Sequence, residues 1–74
     1  MQGSYDLSFR DFSSLLEGFG FRLDRVRGSH QVFVHHNITE LLSVQPRKDG
    51  KAKPYQVRQF LKLVEAYDLE LGEE

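Results

Sequence analysis

Three histidines, His30, His35 and His36, are the side chains in this sequence best suited to moving protons near neutral pH. There is no cysteine to supply a thiolate nucleophile or a thiolate metal site. On one strand, His35 and His36 would point to opposite faces, whereas His30 and His36 would share a face but stand about 20 Å apart at the usual rise. A histidine metal cluster is therefore not expected, and nothing in the sequence asks for a cofactor. His30 differs from the other two because it follows Gly28 and Ser29, where glycine lets a ligand approach the backbone and the hydroxyl can hold a phosphate oxygen. Its face carries Val32 and Val34, so partial burial is expected there while the turn keeps the ring tip accessible. Two readings follow from the residues: a proton-transfer group, or a histidine that caps the edge of the core.

A second constellation is electrostatic. The formal net charge is −1, but the last ten residues hold Glu65, Asp68, Glu70, Glu73 and Glu74; without them ten basic residues face six acidic ones, a balance of +4. Arg47, Lys48, Lys51, Lys53, Arg58 and Lys62 lie close together with Asp49 as the acidic residue among them, the asymmetry of a phosphate-facing patch. A solvated loop and helix face is the plain alternative. Phe33 has the opposite parity to His30, where an aromatic stacks on a base or fills a partner's pocket, or else packs within the sheet. Tyr55, between Lys53 and Arg58, has the same two readings.

The elements that must position these groups are readable from periodicity. Ser8 followed by Asp11 resembles a capping box, and Phe9, Phe12, Leu15, Leu16 and Phe19 recur at helical spacing towards a C-cap at Gly20. Phe21 and Leu23 then alternate with Arg22 and Asp24; after Gly28 and Ser29 a second strand carries His30, Val32 and Val34. A polar connection around Asn37 leads to a third strand, Leu41 to Gln45, ended by Pro46. After a charged loop marked by Gly50, Pro54 suits the first turn of a second helix with an apolar stripe of Val57, Phe60, Leu61 and Val64, ending near Tyr67 to Leu69. The order helix, three strands, helix predicts an α+β fold: a two-layer αβββα domain with both helices on one face of a three-stranded antiparallel sheet.

A chain of 74 residues suits one domain over residues 1–74, with its core at about 8–69 and a frayed acidic tail over 70–74. With no disulfides, a modest core must hold itself together or lean on a partner. No apolar run approaches the roughly 20 residues that span a bilayer, and Met1 to Asp6 lack the basic and apolar regions of a signal peptide. A cytoplasmic protein is expected.

The run Gly20-Phe21-Arg22-Leu23, followed by Arg27-Gly28-Ser29-His30-Gln31-Val32-Phe33-Val34-His35, resembles the signature of HicA family toxins. The shared features are a glycine-aromatic start to strand one, a Gly-Ser-His turn and an apolar-Phe pair. Gln45-Pro46-Arg47, the basic loop from Lys48 to Lys53 and the helix from Tyr55 to Tyr67 are similar to the family's later elements, so the resemblance runs from about Ser8 to Leu69. It implies a fold like that of double-stranded-RNA-binding domains, metal-independent cutting of mRNA that inhibits translation, and neutralisation by a HicB-like antitoxin. By the same resemblance the family's catalytic histidine falls on His30 and its turn glycine on Gly28.

With Ser29 beside the phosphate, Arg47, Lys48, Lys51, Lys53, Tyr55 and Arg58 would then hold RNA. The alternative is a non-catalytic RNA-binding module, for which Lys51-Ala52-Lys53 ahead of the second helix is suggestive. A pure interaction protein, docking a partner through its acidic tail and sheet face, would have no affinity for polyanions.

Overall fold

Helix α1 (Phe9–Gly18) begins where Ser8, in extended conformation, accepts a hydrogen bond from the Asp11 N–H at 3.0 Å, satisfying one of the donors that every helix start leaves free. It buries Phe12 and Leu16. The helix is closed by Gly20, whose φ of 95° turns the chain back so that the Phe21 N–H reaches the Leu16 carbonyl and the Phe21 ring enters the core. This is the arrangement in a computed structural model of the chain, which describes residues 6–72.

Strands β1 (Arg22–Arg27), β2 (His30–His35) and β3 (Ile38–Val44) form one antiparallel sheet in that order. Two-residue turns join them, Gly28-Ser29 between paired Arg27 and His30, and His36-Asn37 between paired His35 and Ile38. The third strand thus begins three residues before the Leu41 expected from hydrophobicity. Ile38 is buried and pairs with His35, while the exposed Thr39 and Glu40 mask the strand in a reading of apolar runs.

Helix α2 (Pro54–Tyr67) carries proline in its first turn, where the missing N–H costs nothing, and ends at Asp68 in the left-handed region. Its buried residues are Gln56, Val57 and Phe60. Leu61, expected in the apolar stripe, is 43 % exposed, so the buried stripe is narrower than the sequence suggests. The loop before α2 folds back on itself: the Arg47 N–H donates to the Lys51 carbonyl, and the Ala52 and Phe9 N–H groups bond Leu7 and Gly50, tying the loop to the entry of α1. At the end of the chain Leu69 is buried and the Gly72 N–H donates to the Gly18 carbonyl at 2.6 Å; of the tail expected to fray, Glu73 and Glu74 lie outside the described residues.

Both helices pack on one sheet face. Phe12 and Leu16 from α1 and Val57 and Phe60 from α2 form a single cluster with Phe33, Ile38, Leu42 and Val44. Phe60 is central, meeting Phe12, Phe19 and Phe21 edge to face with centroids 5.9, 5.3 and 6.0 Å away. Phe12 and Phe60 are fully buried, and each contributes roughly 1.5–3 kcal/mol relative to exposure. The helices do not cover β1, all of whose residues are exposed. Among the described residues no helix is long and apolar enough to cross a membrane.

Candidate functional site

The register of the sheet decides which side chains share a surface. Arg27 pairs with His30, Arg25 with Val32 and Arg22 with Val34, while Leu23 pairs with Phe33 and Val26 with Gln31. Directly opposed residues of an antiparallel pair project to the same side. Phe33 is 1 % exposed in the core, so its parity defines the helix-covered face, and His30, Val32, Val34 and the three arginines occupy the other one. The reading of Phe33 as a base-stacking or partner-binding aromatic is thereby corrected: it packs beneath the helices. Val32 is buried although it lies on the face away from the helices, because it sits on the central strand between Arg25 and Ser43.

His30 opens β2 and is exposed, not partly buried as its apolar neighbours suggested. Its Nδ1 lies 3.5 Å from Ser43 Oγ, the outer limit of a hydrogen bond, and Nε2 has no partner among the described residues. The turn before it has Gly28 at φ 62°, a conformation that favours glycine. Ser29 spends its hydroxyl hydrogen on Gln45 Oε1 at 3.1 Å, so a phosphate oxygen must compete for that donor. The Gln45 N–H in turn donates to Gln56 Oε1 at 3.2 Å, and Gln56 Nε2 donates to the Tyr55 hydroxyl at 3.4 Å. Through the almost fully buried Gln56, the Gly28-Ser29 turn, the end of β3 and the first turn of α2 are drawn to one end of the molecule.

The expected basic patch is partly neutralised from within. Arg47 pairs with Asp49 at 2.9 Å and Lys51 with Asp6. The Lys51 hydrogen bond, then its charge and that of Arg47, hold the Asp6 carboxyl below the usual carboxylate range. Lys48, Lys53 and Arg58 have no acidic partner among the described residues. Lys53 precedes α2 without capping it through its side chain. Tyr55 is 55 % exposed and, with Arg58, Gln59 and Lys62, lines an open depression of about 340 Å³ along one face of α2.

The other two histidines are placed differently from the strand-based expectation. His35 is buried; its Nδ1 accepts the Asn37 N–H at 3.0 Å, so Nε2 must carry the hydrogen that meets the Phe19 carbonyl at 3.1 Å. His36 lies in the turn beyond β2, and its ring stacks on that of His35 with centroids 4.7 Å apart. Strand alternation therefore does not separate this pair, and His35 has both nitrogens occupied by the fold.

Sequence reasoning did not single out Arg25 and met Arg22 and Arg27 only as parts of a motif, yet the register brings all three to the face of His30. A signal was present for two of them, since Arg25 and Arg27 mirror Val32 and His30 across a two-residue turn. Arg22 has the wrong parity and reaches this face only because the ladder shifts between Leu23 and Arg25, leaving Asp24 as an extra residue.

Residues 9–65, most of the chain, match a protein-family model described as HicA toxin of bacterial toxin-antitoxin. No match was found among curated proteins or among solved structures.

Proposed function

This chain belongs to the HicA family of bacterial toxin-antitoxin toxins, and from that membership we propose that it is an endoribonuclease that cuts mRNA without a metal ion and so inhibits translation. The observation that supports this best is His30: an exposed imidazole whose Nε2 has no partner among the described residues, at the mouth of a tight glycine turn and beside Arg27. RNA carries its own nucleophile. In the proposed reaction the 2′-hydroxyl attacks the adjacent phosphorus, the O2′–P bond forms, the P–O5′ bond breaks, and a 2′,3′-cyclic phosphate and a 5′-hydroxyl result. His30 takes one of the two proton transfers, removing the 2′-hydroxyl proton or protonating the leaving O5′; one positioned group of this kind accelerates a reaction by roughly 10²–10⁴.

Gly28 gives the backbone room at the turn and Ser29 steadies it through Gln45. Lys48 and Lys53, with no acidic partner among the described residues, hold phosphate, joined by Arg47 and Lys51 when RNA displaces Asp49 and Asp6; Tyr55 and Arg58 extend the contact along α2. In this reading the chain works in the cytoplasm and is silenced by a HicB-like antitoxin. The test is incubation of the purified chain with a defined mRNA in EDTA, followed by analysis of the new ends. Cyclic phosphate and 5′-hydroxyl ends are expected. A 5′-phosphate would reject the scheme, and retention of RNA without cutting would favour the non-catalytic binding module.

A further inference from the structure

The helix-free sheet face carries more than His30. At its paired positions stand Arg27, Arg25 and Arg22 from β1, His30, Val32 and Val34 from β2, and Ser43 from β3. No carboxylate and no Phe, Tyr or Trp ring occupies any of them. Asp24, the acidic residue of β1, sits at the ladder shift and is already paired with Arg25 at 2.6 Å. Arg22 and Arg27 have no partner among the described residues. Two guanidinium groups at either end of one short strand, with Arg27 directly opposite the candidate catalytic histidine, form a charged surface for which no counterion stands among the described residues.

Resting on the ribonuclease reading of the same site, we propose that this open sheet face is a backbone rail for single-stranded RNA, with Arg22 and Arg27 holding separate phosphates of a strand that passes over His30. The charges are complementary to a polyanion, and Arg presents a fork that matches a phosphate. Arg27 and Arg22 are five residues apart in an extended strand, a separation of roughly 15 Å or slightly more, so they engage different phosphates of one strand. With His30 as its one ring and no Phe, Tyr or Trp at the paired positions, the rail lacks a run of stacking platforms, and it therefore grips backbone and leaves base sequence unread. A single strand is the form that suits the chemistry, because attack by the 2′-hydroxyl needs an alignment with O5′ that a regular duplex resists. Double-stranded-RNA-binding domains instead clasp successive minor grooves, so this face gives a familiar fold a different RNA surface.

The test uses the full chain and a 2′-O-methyl RNA oligonucleotide, which lacks the attacking hydroxyl and stays intact. Affinity is measured across a salt series for the wild type, the Arg22→Ala/Arg27→Ala double variant and Lys48→Ala, with circular dichroism confirming the fold of each. Each single-strand phosphate contact adds about −0.7 to the slope of log K against log salt, so the double variant should lose about 1.4 from the slope, equally for oligonucleotides of different sequence. Arg22→Lys/Arg27→Lys should restore most of it. A double variant with the wild-type slope overturns the rail while leaving the ribonuclease reading intact. A wild type with no affinity for the oligonucleotide overturns both.

Discussion

Gly28 holds φ at 62° in the turn that presents His30, and a Cβ added there would meet nothing within 4 Å. Substitution is therefore penalised through the backbone alone. Gly28→Ala should lose about 1–2 kcal/mol of stability in urea unfolding, whereas Gly28→Asn, a residue that enters this conformation more readily, should lose less. Equal losses would place the cost somewhere other than φ. The triplet Gly28-Ser29-His30 was legible in the sequence because glycine and a two-residue spacing announce a tight hairpin. Arg22 was not, because its face depends on the ladder shift at Asp24, and a shifted ladder leaves no mark in a strictly alternating reading. The internal pairing of Arg47 and Lys51 was equally hidden: Asp49 is a sequence neighbour of the first, but Asp6 reaches Lys51 only through the loop that folds against the entry of α1.

The helices and the first hairpin follow from local rules, in the Ser8 cap, the Gly20 reversal and the Pro54 start. What periodicity leaves undecided is which face of β2 meets the helices, since Val32 and Val34 are apolar on one parity and Phe33 on the other. The helices settle it by covering the larger side chain, and Phe33 becomes part of the cluster with Leu42 and Phe60. Phe33→Ala should accordingly cost about 3–5 kcal/mol, the range for an aromatic ring removed from a packed core. Val34→Ala, on the open face and only partly buried, should cost distinctly less. Chemical denaturation of the two variants checks this, and the reverse order would put the core on the other side of the sheet.

At the scale of the whole molecule, an interaction that titrates ties the end of α2 to the sheet. The Tyr67 hydroxyl donates to Glu40 Oε1 at 2.6 Å, which holds the Glu40 carboxyl below its ordinary range and pushes the Tyr67 phenol above its own. Stability from the lowered Glu40 is present above the ordinary carboxylate range and is lost as pH falls through its depressed value; stability from the raised Tyr67 is present below the ordinary phenol range and is lost as pH climbs through its raised one. Thermal unfolding of the wild type and Tyr67→Phe over a pH series should show the largest difference near neutrality, closing at both extremes. A difference independent of pH would assign the effect to ring packing.

The central claim joins all three scales: a glycine turn, an open sheet face and a family of toxins converge on His30 as the group that moves a proton in RNA cleavage. Cleavage of a defined mRNA in EDTA by the wild type and by His30→Ala tests it most directly, with circular dichroism on both. His30 is exposed and its hydrogen bond to Ser43 is at the limit of bonding, so the variant should fold as the wild type does. The account predicts that the wild type cuts and that the folded variant is slower by roughly 10²-fold or more. A folded His30→Ala chain that cuts at the wild-type rate would contradict it.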